Sequence, residues 1–170
     1  MSPAERFDPY AILTALEHHR FGYVLIGAFA RVLQGTEEIT GGVDLVPSLR
    51  TESLRRLHLA LEELDAKRTD GGPLTLDSAT IRDEPVIAVH TPYGEMKIVP
   101  DPPGTRGGYD DLRRAATREP VGQGLRPLVA SISDLARLLA TLRREQDQPI
   151  LLQLRKLREI ELSLSRGIDI

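Results

Sequence analysis

The stretch YVLIGAFARVLQGTEEITGGVDLVP, residues 23–47, combines two short apolar runs with glycine-rich turns, and this pattern decides the fold. The apolar run at 23–26 predicts a buried strand that ends at Gly27. Residues 28–34 predict a short helix, and residues 43–46 predict a second strand. A strand that turns at once into a helix directs backbone N–H groups at whatever lies above the turn. This arrangement suits the binding of phosphate.

The composition is that of an ordinary globular domain. The chain has 170 residues, of which 41% are hydrophobic and 28% charged, so one domain with its own core is expected. The net charge of −3 excludes a general positive field for nucleic acid but allows a local basic patch. The absence of cysteine excludes disulfides and thiolate metal sites and favours a cytoplasmic location. No apolar run approaches the ~18 residues of a membrane span, so we expect no membrane partner.

Helical patterns lie on both sides of the central stretch. Asp8 and Pro9 are typical of a helix start, and Gly22 is the predicted end of that helix. Leucines at 54, 57, 61 and 64 predict an amphipathic helix from Thr51. Further strands are predicted at 79–82, 85–91, 95–99 and 125–130, and a further helix at 109–117. Two C-terminal helices are predicted, one capped by Ser133 and one that starts near Asp147 and ends at Gly167.

These elements predict an α/β protein with a small mixed β-sheet flanked by helices and a helical C-terminal extension. No linker-like composition divides the chain, so we interpret residues 1–170 as a single domain. Its core would span about 8–130, and a helical hairpin would span about 131–167.

Six sequence blocks resemble, in order and spacing, the nucleotidyltransferase superfamily. The resemblance is to its minimal branch, which includes abortive-infection (AbiEii-like) toxins, and it covers roughly residues 20–150. The blocks are IGAFA at 26–30, Gly35, TGGVDLVP at 40–47, RRLHLAL at 55–61, TPYGEMKIVP at 91–100 and REQD at 144–147.

The resemblance implies a nucleotidyltransferase-like fold with a nucleotide site, and Mg²⁺ as the cofactor if the protein is active. By this resemblance, Asp44 is the candidate catalytic residue and metal ligand. The candidate nucleotide-binding residues are Gly27, Ala28, Arg31, Thr40 and Lys97.

Several groups expected from the resemblance are missing. The second glycine or serine of the turn is Ala28, the first acid of the D-x-D pair falls on Gly42, and the third acid falls on Lys97. The C-terminal lysine falls on Leu139, although Arg144 and Asp147 remain. A single aspartate makes a poor magnesium site, because such sites use several oxygen ligands and usually more than one carboxylate.

Three functions follow from these departures. The favoured hypothesis is a catalytically degenerate member that binds NTP, RNA or a protein partner, as a regulatory or antitoxin-type component. The second is an active toxin-like enzyme that moves a nucleotide from NTP to RNA or protein. The third is a structural or interaction module without a ligand. Asp44 would bind metal in the second case, or pair with Lys97 across adjacent strands.

Other residues carry weaker signals. Arg31, Arg50, Arg55 and Arg56 would hold triphosphate or RNA, or form a solvated face with the nearby glutamates. His18 and His19 are adjacent on a helix, where side chains diverge by ~100°, which favours a polar helix end over joint metal binding. The leucine-rich C-terminal helices would pack on their own domain or form a dimer interface.

Overall fold

The computed structural model describes the backbone of residues 6–168 and the side chains of residues 6–166. Its helices are α1 (Pro9–His18), α2 (Gly27–Gln34), α3 (Thr51–Glu63), α4 (Tyr109–Leu112), α5 (Ile132–Thr141) and α6 (Gln148–Ile168). Its strands are β1 (Tyr23–Ile26), β2 (Gly42–Pro47), β3 (Lys67–Arg68), β4 (Ile87–Thr91), β5 (Gly94–Ile98), β6 (Thr117–Arg118) and β7 (Leu128–Val129). Single 3-10 turns lie at Ile81–Asp83 and Glu145–Asp147.

The seven strands form one mixed sheet in the order β3-β4-β5-β2-β1-β7-β6. β1 and β2 are antiparallel, whereas β2 pairs with β5, and β1 with β7, in parallel. The predicted α/β class and mixed sheet flanked by helices are therefore confirmed. The β4–β5 hairpin closes through Pro92 and Tyr93, with Thr91 opposite Gly94, as the sequence predicts.

β1 lies inside the sheet, and all four of its side chains are buried. A strand buried on both faces must be covered by other elements on each side. α2 and α4 contact β1 directly, and α2 also contacts β2. Because β1 is packed in the core, the turn at Gly27 that follows it has a fixed position. The same holds for the end of β2 that pairs with Ile26.

The end of α1 differs from the prediction. The helix stops at His18, and Arg20 takes the left-handed conformation (φ 50°) that was expected of a glycine. Gly22 is instead required for close packing. A Cβ at this position would lie 2.8 Å from the Tyr109 hydroxyl and 3.1 Å from the Ser48 Cβ.

The short elements account for the other differences. The strand predicted at 79–82 is a turn followed by the 3-10 turn, and the helix predicted at 109–117 ends at Leu112. The two-residue strands β3 and β6 were not predicted. Ser131, not Ser133, caps α5 by accepting a hydrogen bond from the Asp134 N–H at 3.0 Å.

The C-terminal helices pack on each other through a small apolar cluster. Ile132, Leu139 and Leu154 are its buried members. Leu139, at the position of the expected lysine, is therefore part of the α5–α6 contact. α6 continues through Gly167 to Ile168, so Gly167 does not end it.

The single-domain assignment of residues 1–170 stays a prediction, and residues 1–5 and 169–170 of that range lie outside the described residues. Within the described part of the chain, no helix combines the length and apolar character needed to cross a bilayer.

Candidate functional site

The sheet brings three of the candidate residues together at one end of β1 and β2. Asp44 lies opposite Ile26 on β1 and opposite Lys97 on β5. Gly27 follows Ile26 directly and starts α2. The candidate metal ligand, the turn glycine and Lys97 therefore meet at the N-terminus of α2.

Gly27 has to be glycine, because its φ is +77° and the Asp44 carboxylate lies directly against its Cα. A Cβ at this position would come within 2.9 Å of the Asp44 Cγ. Ile26 is the N-cap residue of α2 and supplies no side-chain hydrogen bond. The Asp44 carboxylate thus lies at the positive end of a helix that lacks a side-chain cap, which favours a negative charge there.

Asp44 is half-buried, and burial raises the pKa of its carboxyl above the ordinary value, against the lowering effect of Lys97 and Arg31. Lys97 is exposed. Within residues 6–168, no ion pair joins Lys97 to Asp44, although the two residues are aligned across the strands. The interpretation of these two residues as an ion pair is therefore wrong in this conformation; Lys97 acts on Asp44 only through its field.

Gly42 occupies the place of the first expected acid, and the strands leave no room for a side chain there. Gly42 lies opposite Glu95 in the parallel β2–β5 pair. A Cβ on Gly42 would lie 2.5 Å from the Glu95 backbone carbonyl oxygen. Since a real Cβ cannot approach backbone so closely, any other residue would force the two strands apart.

Arg31 is engaged by an internal carboxylate. Its guanidinium donates to both oxygens of Glu38, at 2.9 Å and 2.8 Å, and both side chains are mostly buried. Thr36 also donates to Glu38, at 2.7 Å. Burial would raise the pKa of Glu38, but the hydrogen bonds from Arg31 and Thr36 outweigh it and lower the pKa. Arg31 thus anchors the loop between α2 and β2, and its role as a nucleotide ligand stays a prediction.

Thr40 and Ala28 contribute little chemistry in this conformation. The Thr40 hydroxyl donates to the Gly42 carbonyl at 3.1 Å, within the loop that leads into β2. Ala28 lies in the first turn of α2 and offers only its backbone. In the part of the chain that the structure describes, Asp44 belongs to no group of three close histidine or acidic ligands.

The REQD block forms the entry to α6. Arg144 donates to both oxygens of the buried Asp147, at 2.7 Å and 3.0 Å. Asp147 is close enough to Glu38 to raise the pKa of Glu38, and it thus opposes the lowering by Arg31 and Thr36. The block therefore lies beside the α2–β2 loop, and Arg144 and Asp147 already pair with each other.

A basic cavity lies at the opposite end of the β1–β2 pair. There the Ser48 N–H donates to the Gly22 carbonyl at 2.8 Å. Gly22 precedes Gly27 by five residues, which corresponds to ~16 Å along an extended strand. The cavity has a volume of about 430 Å³. Polar and aromatic groups line it together with four arginines and two acids. These charged residues are Arg20, Arg50, Arg56, Arg113, Glu52 and Asp110.

The arginines of this cavity differ in how far they are neutralised. Arg56 bonds to Glu52 at 3.2 Å, and Arg113 lies 3.7 Å from Asp110. Among the described residues, no ion pair involves Arg20 or Arg50, and both are exposed. The cavity therefore keeps positive charge available for an anion. The sequence suggested Arg50 and Arg56, but Arg20 and Arg113 carry no motif and are brought in by the fold.

Comparisons with known proteins support the fold. No family model matches the sequence, and the search of curated proteins returned no match. Among solved structures, the chain is similar to the crystal structure of the lincosamide antibiotic adenylyltransferase LnuA with lincomycin bound. The TM-score is 0.61, with 15% identity, over 88% of this chain and 95% of that chain. The chain therefore has a nucleotidyltransferase fold.

Proposed function

We propose that this protein is a catalytically degenerate nucleotidyltransferase-fold protein that binds a phosphate-bearing ligand, a nucleotide or RNA, without transferring it. The observation that carries the proposal is the contact at Gly42. The Glu95 carbonyl fills the space in which the first acid of a D-x-D pair would stand. The loss of that acid is thus built into the strand pairing.

The remaining charges at this end of the sheet support the same conclusion. Asp44 is the one carboxylate kept at the expected positions, and burial disfavours its ionised form. Lys97 stands where another acid is expected and adds a positive charge near it. A divalent metal ion prefers several ionised oxygen ligands, so this end of the sheet is poorly suited to Mg²⁺.

The basic cavity is the surface on which we place the ligand. Guanidinium groups bind phosphate through paired hydrogen bonds, and Arg20 and Arg50 retain this capacity. The neighbouring backbone enters α3 at Arg50, an N-cap residue without a side-chain hydrogen bond to the helix. A protein of this kind would act as a regulatory partner or as an antitoxin-type component.

An active enzyme is the second candidate, favoured by the contact of Asp44 with Gly27 at the N-terminus of α2. In that case Asp44 would hold Mg²⁺ against a triphosphate bound at the helix. Since the fold neighbour is named as a lincosamide adenylyltransferase, the acceptor could be a small molecule as well as RNA or protein.

A transfer assay separates these two candidates. The protein would be incubated with each α-labelled NTP, with Mg²⁺ or Mn²⁺, and with total RNA or lincomycin as acceptor. We expect no label on any acceptor or on the protein itself. Label that appears with the wild-type protein and is lost in Asp44→Ala would establish catalysis and overturn the proposal.

A binding assay tests the other half of the proposal. Fluorescence anisotropy would follow labelled ATP and a labelled single-stranded RNA at several salt concentrations. Arg50→Ala should weaken binding and reduce the slope of log Kd against log salt by about 1. Arg113→Ala should have a smaller effect, because Arg113 already lies 3.7 Å from Asp110. Arg155→Ala, an exposed arginine on α6 outside the cavity lining, is the control and should bind normally. Failure of both probes to bind the wild-type protein would favour an interaction module without a nucleotide ligand.

A further inference from the structure

Three metal-ligating groups converge where α1 and α3 end. The Nδ1 of His18 lies 3.1 Å from the Oε1 of Glu63, and the Nε2 of His19 lies 3.5 Å from the same oxygen. All three ligand atoms lie within 4.8 Å of one another. The two adjacent histidines do form the polar end of α1, as expected, but their rings converge on one carboxylate although adjacent helix positions diverge by ~100°.

The local backbone explains how both rings reach one carboxylate. His18 is the last residue of α1, and His19 is its C-cap residue, with φ −88° and ψ −5°. The chain then enters the left-handed conformation at Arg20. α1 packs against α3, which ends at Glu63. The two rings therefore flank the end of the neighbouring helix, with centroids 4.9 Å apart.

The Nε2 atom of His19 is buried and makes no hydrogen bond of suitable geometry within the described residues, although the Glu63 Oε1 lies 3.5 Å away. The His19 side chain as a whole is only 20% exposed. A buried polar atom without a partner costs free energy, so such atoms call for a specific explanation. A cation bound between this nitrogen and the Glu63 carboxylate would be coordinated by the nitrogen, which would then have a partner.

The electrostatic setting favours a cation at this position. Both helices present their C-terminal ends here, and a helix C-terminus carries a partial negative charge. Glu63 adds a full negative charge to the last turn of α3, which contains no basic residue. An acid at a helix C-terminus is unfavourable unless a positive group compensates for it.

We propose that His18, His19 and Glu63 form a binding site for a divalent transition metal ion, with Zn²⁺ as the best fit. Zinc is held by histidine nitrogens and carboxylate oxygens at about 2.0–2.2 Å in tetrahedral geometry, so its ligand atoms lie ~3.3 Å apart. The two distances to Glu63, 3.1 Å and 3.5 Å, bracket this spacing. The fourth position is open to water. The ion would join the ends of α1 and α3, away from the Asp44 site.

Isothermal titration of untagged, chelator-treated protein with Zn²⁺ tests the site, with thermal unfolding measured in parallel. We expect one equivalent of zinc to bind and to raise Tm, because a ligand that binds only the folded state stabilises it. Co²⁺ should give the visible absorption of a four-coordinate complex. An untagged protein is needed because an added histidine tag would bind both metals.

His18→Ala, His19→Ala and Glu63→Gln should each weaken zinc binding by about tenfold or more, since even loss of an outer-shell partner costs about 10–100-fold. His58→Ala and His90→Ala are matched controls, because each of these histidines also pairs with a glutamate, at 2.8 Å and 2.6 Å. Circular dichroism would verify that each variant folds. His18 is exposed, so its variant remains informative if His19→Ala unfolds.

Two results would overturn the proposal. One is the absence of a zinc-dependent heat signal and Tm shift at micromolar Zn²⁺. The other is zinc binding that the controls weaken as much as the three ligand variants do. Neither result bears on the Asp44 region or the basic cavity, so this test is independent of the proposed function.

Discussion

At the scale of single residues, Asp44 costs the folded state free energy at neutral pH. Burial raises the pKa of its carboxyl above 3.8, the ordinary value, despite Lys97 and Arg31 nearby. The unfolded chain therefore releases this proton at a lower pH than the folded chain does. The free energy of unfolding falls as the pH rises from the unfolded pKa through the folded pKa, and it stays lowered above that range.

Asp44→Asn should therefore be more stable than the wild type at pH 7, because asparagine cannot ionise. The difference should shrink as the pH falls and disappear below about 3.8. Urea denaturation at a series of pH values would measure it. A variant that is less stable than the wild type at pH 7 would mean that the fold requires the ionised carboxylate.

The sequence allowed some residue contacts to be predicted and concealed others. The turn at Gly27 follows from the apolar run that ends there. The placement of Asp44 and Lys97 on adjacent strands was expected from the family resemblance, and the structure pairs these residues across β2 and β5. The contact of Arg31 with Glu38 spans an irregular loop, whose conformation no periodicity describes. The convergence of His18 and His19 on Glu63 depends on where α1 ends and on its packing against α3, neither of which is a local property.

At the scale of elements, length determined which predictions were confirmed. The leucine spacing at 54, 57, 61 and 64 extends over about three turns, so the helical period is unambiguous, and the helix spans Thr51–Glu63. β3 and β6 have two residues each, which is too few to show alternation. The strand predicted at 79–82 rested on a similarly short run, and only Ile81 of that run is buried. Short elements are set by their partners in the sheet.

The contact between β2 and β5 leads to a prediction about strand pairing. Gly42→Ala should lower the free energy of unfolding by about 1–3 kcal/mol, because its Cβ would overlap the Glu95 carbonyl and backbone cannot move aside cheaply. The midpoint of urea denaturation would report the change.

Gly72→Ala is the control for this prediction. The nearest atoms to its new Cβ would belong to side chains, the exposed Asp70 carboxylate oxygen at 3.0 Å and the Arg68 Nε at 3.6 Å, so its loss of stability should be smaller. Equal stability of both variants would show that the two strands tolerate a side chain at position 42. The structural argument against a first acid would then fail.

At the scale of the whole molecule, α6 has two halves with different roles. Leu154 is fully buried and joins Ile132 and Leu139 in the cluster that holds α5 and α6 together. Gln153 accepts a hydrogen bond from the Glu37 N–H at 2.8 Å, and Leu157 packs against Gly35. This first half therefore docks the helix on the α2–β2 loop. Residues 158–166, in contrast, are all exposed.

The two halves should respond differently to change. Leu154→Ala should cost about 2–5 kcal/mol of stability, because it leaves a cavity in a packed cluster.

Removal of residues 159–170 should leave Tm nearly unchanged when the protein is dilute, since the described side chains of that segment are all exposed. Ile160, Leu162 and Leu164 are nevertheless large and exposed. If the truncation lowers Tm, and does so more strongly at high protein concentration, the distal half of α6 would be packing against a second chain, as the dimer hypothesis for the C-terminal helices requires. Sedimentation of both forms across that concentration range would decide between the two cases.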